Sequence, residues 1–266
     1  MKGYVMVRVI RGCVAIVLLM LLMMLPGCTQ EGQEQTALNV FAAISLTDAL
    51  GEIGTAFTAE NGVKIYYNFA ASTTLQRQLE KGATADIFIS ASPRQVVALE
   101  TNGLLEVESR KDLLTNRLVL VSGQSAGISV ETLTHLAIPE ISRIAIGHPN
   151  IVPAGTYAKE ALARFGLWET LQSKFVFGTD VRATLAYVTA GNADVAIVYK
   201  TDTTLTQRIK VLYQLPLETY TPIIYPAVVM KGSPHKQLAR RFMTYLHSME
   251  SGEVFEKHGF TFLVLK

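Results

Sequence analysis

Four times along this chain a strand-like apolar run breaks into a few small neutral residues and then becomes a helix. The breaks are Ala42-Ala43-Ile44-Ser45, Ala70-Ala71-Ser72-Thr73, Val152-Pro153-Ala154-Gly155 and Gly178-Thr179-Asp180-Val181. A strand that feeds a helix, repeated in this way, restricts the chain to α/β architectures. The first backbone N–H groups of a helix lack intrahelical acceptors and carry partial positive charge. Small side chains let an anion approach those donors. Four converging starts would make a cage of N–H donors without lysine or arginine, suited to a small, fully ionised oxyanion.

The intervening pattern predicts the remaining elements. Strands are expected at Leu38–Ala42, Val63–Asn68, Ile87–Ser90, Leu118–Val121, Ile144–Ile146, Lys174–Phe177, Val195–Val198, Lys210–Leu212 and Tyr225–Met230. Helices are expected at Leu46–Glu60, Thr74–Lys81, Pro93–Thr101, Val130–Leu136, Ala154–Phe165, Val181–Ala190, Lys236–His247 and Glu253–His258. The alternation predicts largely parallel strands. A weak echo links Gly82-Ala83-Thr84-Ala85-Asp86-Ile87 with Gly191-Asn192-Ala193-Asp194-Val195. Each copy has a glycine suited to a helix end, then Ala-Asp and a buried strand. The echo fits two similar lobes, although αβ connections often look alike.

The N-terminus sets the compartment. Lys2, Arg8 and Arg11 precede an apolar run from Val14 to Leu25, then Pro26-Gly27-Cys28. A basic region, an apolar stretch of about a dozen residues and a small-residue exit predict a secretory signal over residues 1–27. Leu25-Pro26-Gly27-Cys28 resembles a bacterial lipobox, which makes Cys28 the lipidation residue, with proline where a small residue is usual. An ordinary signal peptide or an uncleaved anchor is the alternative. Residues 28–37 then form a polar tether. The expected location is exported, periplasmic or at the cell surface, held to a membrane by the lipid. Cys13 lies within the signal, so Cys28 has no partner for an intramolecular disulfide. Residues 1–27 hold three of the 24 basic residues and none of the 22 acids, leaving 21 against 22, a net charge of −1. Nothing there argues for nucleic acid.

Catalytic patterns are sparse. Gly123-Gln124-Ser125-Ala126-Gly127 fits G-x-S-x-G, and a secreted α/β serine hydrolase using Ser125 is the competing reading from another class. A nucleophile elbow needs a sharp strand-to-helix turn at the serine. Here the next helix is expected only after Ser129 as its cap, so the motif reads as a loop. His135, His148, His235, His247 and His258 show no metal-ligand spacing. No phosphate-binding loop motif occurs. The chain therefore reads as a binding protein, not an enzyme, with no cofactor. Within the junctions, Ser45 and Ser72 each combine an N–H with a hydroxyl, although serines at helix starts are ordinarily caps. Ala154 offers its N–H after a proline that has none. Asp180 is placed to cap the helix beginning at Val181. Tyr199 ends a strand at its carboxyl end, where open α/β sheets bind ligands.

Taken in order, these segments resemble the periplasmic molybdate-binding proteins, the solute receptors of molybdate ABC importers. The resemblance spans Leu38 to Val264. It rests on Phe41-Ala42-Ala43-Ile44-Ser45-Leu46-Thr47, Phe69-Ala70-Ala71-Ser72-Thr73-Thr74-Leu75 and Ala85-Asp86-Ile87-Phe88-Ile89-Ser90-Ala91. It continues through Val152-Pro153-Ala154-Gly155-Thr156-Tyr157, Asp180-Val181-Arg182-Ala183 and Ile197-Val198-Tyr199. Ile44 and Ala71 depart from the residues the family favours there, and neither change removes a backbone donor. The resemblance implies a two-lobed periplasmic-binding-protein fold of type II with ligand in the inter-lobe cleft. It implies lobes of residues 38–118 plus 225–266 and of residues 119–224. It implies that Ser45, Ser72, Ala154, Val181 and Tyr199 hold molybdate or tungstate, with no direct ligand to the molybdenum. Sulfate is the alternative oxyanion. The implied partners are the oxyanion and an ABC importer permease, for a monomer held to a membrane by its lipid.

Overall fold

The computed structural model of the chain describes residues 37–264. The expected signal, Cys28 and the tether up to Thr36 lie outside the described residues. In chain order the first half holds β1 (Ala37–Ala43), α1 (Thr47–Asn61), β2 (Lys64–Ala70), α2 (Ser72–Glu80), β3 (Ile87–Ile89), α3 (Pro93–Thr101), β4 (Lys111–Asn116) and β5 (Leu118–Gly123). Then come β6 (Ile144–Gly147), α4 (Pro153–Arg164), β7 (Phe175–Gly178), α5 (Val181–Thr189), β8 (Val195–Tyr199) and β9 (Ile209–Gln214). β10 (Ile223–Val229), α6 (Lys236–Leu246), α7 (Met249–Lys257) and β11 (Thr261–Phe262) close the chain.

The strands form two sheets, ordered β11-β4-β10-β3-β1-β2 and β7-β6-β8-β5-β9. Each contains the same unit. In the first, β1 lies between β2 and β3, all parallel. In the second, β6 lies between β7 and β8, all parallel. An antiparallel strand flanks each unit, β10 beside β3 and β5 beside β8. The Ala-Asp echo occupies matching places in the two units. Asp86 N–H donates to the Asn39 carbonyl at 2.8 Å, and its Oδ2 accepts from Asn39 N–H at 2.8 Å. Asp194 N–H donates to the Arg143 carbonyl at 2.9 Å, and its Oδ2 accepts from Arg143 N–H at 2.7 Å. Each aspartate thus pins its own strand to the central strand of its unit. The glycines ahead of them, Gly82 at φ 92° and Gly191 at φ 73°, take the left-handed turn that L side chains avoid.

Strand direction is mixed, not largely parallel. Only Arg117 separates β4 from β5, so the chain steps between sheets with no crossover helix; β4 then pairs antiparallel with β10 and β11, and β5 with β8 and β9. β4 has little sequence signal: in Lys111-Asp112-Leu113-Leu114-Thr115-Asn116 burial follows no alternation. The helix expected at Val130–Leu136 is a 3-10 segment, Leu133–Ala137, preceded by Thr132 and not by Ser129. Pro139 ends it by disfavouring the helical conformation at Ile138. The last helix starts at Met249, ahead of the expected Glu253, because the Ser248 hydroxyl accepts from Ser251 N–H at 3.2 Å.

One continuous apolar cluster underlies both sheets, including Leu38, Leu50 and Phe57 as well as Ile146, Leu162 and Val198. Tyr199 and Tyr225 lie 6.1 Å apart, ring centre to ring centre, joining β8 to β10. Among the described residues no helix is long and apolar enough to cross a membrane.

Candidate functional site

The carboxyl ends of the parallel strands point the following helix starts at one cavity. It is lined by Ala43, Ile44 and Ser45 after β1 and by Ala70, Ala71 and Ser72 after β2. Ala91 follows β3, Val152 and Pro153 follow β6, Val181 follows β7, and Tyr199 ends β8. The cavity is small, about 10 Å³, and no lining residue is charged. Such room suits a group of a few atoms, not a sugar or a peptide. A larger cavity of about 840 Å³ between β4 and α6, lined by Glu106, Lys111, Arg240 and His247, gathers none of the helix starts.

The structure therefore brings Ser45, Ser72, Val181 and Tyr199 together on one wall-to-wall space. Ala154 stands one step back: it is fully buried beside the cavity, while Pro153 contributes the lining surface. None of the five is more than 8 % exposed, so hydrogen bonds made there are shielded from water.

The donors can be followed helix by helix. At α4, proline has no N–H and Gly155 N–H donates to the Val152 carbonyl at 2.9 Å, so Ala154 N–H is the first donor left without an acceptor. At α5, the Asp180 carboxylate caps Ala183 N–H at 2.8 Å, as the sequence predicts, leaving Val181 N–H to face outward. At α2, Thr74 and Leu75 N–H both donate to the Ala71 carbonyl, leaving Ser72 N–H. Ser45 lies in a 3-10 turn, Ile44–Leu46, at the same place after β1.

Neither serine is a helix cap. The cap positions are Ala43 and Ala71, whose side chains have no oxygen to give. Instead the Ser72 hydroxyl oxygen accepts from Ala91 N–H at 2.9 Å. The Ser45 hydroxyl oxygen lies 3.1 Å from the Tyr225 hydroxyl. Tyr199 differs again: its hydroxyl is buried and has no hydrogen-bond partner within the protein. Burial holds that phenol well above its ordinary pKa, so it remains a proton donor. An orphaned buried hydroxyl carries a desolvation cost that a ligand acceptor removes. The sum is four backbone N–H groups and three hydroxyls around an uncharged wall.

Charges stand just outside. Arg182, next to Val181, pairs with Asp48 in the first turn of α1, so the guanidinium is neutralised across the rim. Among the described residues no three His, Cys, Asp or Glu side chains gather as a metal cluster. Ser125 sits in an exposed turn after β5 with no helix following, so the nucleophile elbow is not formed.

Sequence reasoning missed the layer behind the site: Tyr225, Asn116 and Asp202. Asp202 is buried below Tyr199 and accepts from the Tyr199 N–H at 2.9 Å. Burial pushes its carboxyl up to about 7, against a partial downward pull from that N–H and from Arg182. The unfolded group titrates near 3.9. Between those values the folded chain holds a proton that the unfolded chain has lost, so stability from this group falls as pH rises toward about 7. The expected result is a denaturation midpoint for Asp202→Asn that loses less than the parent's between about pH 5 and about pH 8. Identical pH dependence in the two proteins would show that Asp202 does not titrate in this way.

Known proteins match this arrangement over nearly the whole described chain. Residues 38–261 match the family described as bacterial extracellular solute-binding protein. The molybdate-binding protein ModA of Escherichia coli (strain K12) is 36% identical over 232 residues, 86% of this chain and 90% of that protein. A relative from Bacillus subtilis (strain 168), YvgL, named as an ABC transporter substrate-binding lipoprotein, is 35% identical over 245 residues, 90% of this chain and 94% of that protein. The Azotobacter vinelandii periplasmic molybdate-binding protein shares the fold with a TM-score of 0.77 at 22% identity, covering 86% of this chain and all of that one. Matched by that family model over residues 38–261, the chain belongs to the bacterial extracellular solute-binding proteins.

Proposed function

We propose that this protein is an extracytoplasmic receptor that binds molybdate, or tungstate, and delivers it to an ABC importer. The observation that carries the reading is the cavity itself: hydroxyl and N–H donors surround it, and no charged side chain lines it. Molybdate at neutral pH is a dianion with no proton to donate. A set of donors matches every one of its oxygens. Hydrogen phosphate would turn its own O–H toward a donor. Charge-assisted hydrogen bonds contribute about 1.5–3 kcal/mol each. Seven of them, less desolvation and ordering, support a dissociation constant in roughly the micromolar to nanomolar range.

Each proposed ligand residue has one role. Ser45 and Ser72 donate an N–H and a hydroxyl, Ala154 and Val181 an N–H, and Tyr199 a hydroxyl. The receptor's lobes are residues 38–118 with 225–266, and residues 119–224, closing on the ligand by hinge motion. The Arg182–Asp48 pair spans their rim and supports the closed form. Lipid on Cys28 keeps the receptor beside its permease, a placement supported by the YvgL name. Tungstate matches molybdate in charge, shape and size and binds the same donors.

Calorimetry of ligand-free protein lacking residues 1–27 tests the reading. Molybdate and tungstate should give saturable heats, sulfate a weaker one, and phosphate the weakest. Sulfate binding tighter than molybdate would make this a sulfate receptor. No heat from either larger anion would end the proposal.

A further inference from the structure

We infer that Tyr225 and Asn116, which do not line the cavity, fix the direction of the Ser45 proton and so set the preference for oxyanions that carry no proton. This deepens the oxyanion reading above and rests on it.

Arg117 N–H donates to Asn116 Oδ1 at 2.8 Å, which settles which end of the amide is oxygen. The Asn116 NH₂ therefore faces the other way, donating to Thr201 Oγ1 at 3.0 Å and to the Tyr225 hydroxyl at 3.2 Å. An amide NH₂ has no lone pair to accept with. The Tyr225 hydroxyl must accept from it, and its single proton is left for the neighbour on the other side. That neighbour is the Ser45 hydroxyl oxygen, 3.1 Å away. Ser45 then accepts from Tyr225, and its own proton points to the one remaining open side, the cavity it lines. Asn116 and Ser45 are at most 8 % exposed and Tyr225 is fully buried, so water does not compete within the relay.

The relay links distant parts of the chain. Asn116 ends β4 at the step between the sheets, Tyr225 lies in β10 on the return, and Ser45 follows β1. Thr201 lies two residues beyond Tyr199. A serine alone can donate or accept, so it would tolerate a ligand O–H. A serine held by this relay has one proton left over and an acceptor for it only in the cavity; a ligand O–H that took its second lone pair would leave that proton without a partner. Tyr225 and Asn116 are positioning residues: they act through Ser45.

The test compares sulfate with hydrogen phosphate, which at mildly alkaline pH share charge and shape and differ by one proton. Dissociation constants for molybdate, sulfate and phosphate are measured by competition calorimetry on the parent, Tyr225→Phe, Ser45→Ala and the double variant. Phenylalanine keeps the buried ring and removes only the hydroxyl. In Tyr225→Phe, molybdate binding should weaken about tenfold and the preference for sulfate over phosphate should fall about tenfold, one hydrogen bond's worth. In the Ser45→Ala background the same change should leave that preference unmoved, because the residue it acts through is gone. Equal weakening of all three anions, or a shift that persists without the Ser45 hydroxyl, overturns the inference while leaving the receptor intact. A parent that binds no oxyanion overturns both the receptor and the inference.

Discussion

Removing the hydroxyls of Ser45 and Ser72 together should weaken molybdate binding by about 10²- to 10⁴-fold, from about 1.5–3 kcal/mol per charge-assisted bond. The Ser72 oxygen already accepts from Ala91 N–H, and in the relay inferred above the Ser45 oxygen accepts from Tyr225. Their protons are free for the ligand, so each contributes a donor that is aimed before the ligand arrives. The backbone N–H groups of both residues survive substitution by alanine, which is why binding weakens without vanishing. Ser72→Ala also strands a buried N–H at Ala91 and should lower stability by about 1–3 kcal/mol. Affinity and thermal midpoint must therefore be read separately, with binding measured well below the transition. Unchanged affinity in the folded double variant would mean that the ligand sits elsewhere.

What could be read from the sequence was what is local. The junctions at Ser45, Ser72, Ala154 and Val181 are legible because a helix start is written in a few consecutive residues. The Ala-Asp echo is legible for the same reason, and Asp86 and Asp194 make matching bonds to Asn39 and Arg143. Contacts between remote partners are not legible in this way. Ser45 and Tyr225 are 180 residues apart, and Asn116 and Tyr225 are 109 apart. Those contacts depend on how β4 and β10 register, with a bulge between Tyr225 and Pro226, and no local pattern encodes that. β4 carries no strand pattern because its two leucines are adjacent, not alternating. The serines were ambiguous for a different reason: capping and ligand binding call for the same residue at nearly the same position. Only the finding that Ala43 and Ala71 hold the cap positions separates the two.

Alanine at Gly155 should be the most disruptive such substitution among the described glycines. A Cβ at that position would lie 1.9 Å from the Gly147 carbonyl oxygen and 2.4 Å from its carbonyl carbon. Both are backbone atoms, so no side chain can swing aside. Gly147 ends β6 and Gly155 lies in the first turn of α4, so relief requires the helix to slide off the strand that aims it. Overpacking of this kind costs about 1–3 kcal/mol, and a backbone clash belongs at or above the upper end. For a domain of this length that lowers the thermal midpoint by roughly 6–12 °C. The same slide carries Ala154 N–H away from the cavity, so binding should fall in whatever fraction stays folded. Gly51, exposed in the middle of α1 with nothing within 4 Å of a built Cβ, provides the control. Alanine there should stabilise by up to about 1 kcal/mol through helix propensity and leave affinity untouched. If Gly155→Ala melted with the parent and bound with the parent's affinity, the close packing of α4 on β6 would not be what positions the Ala154 donor.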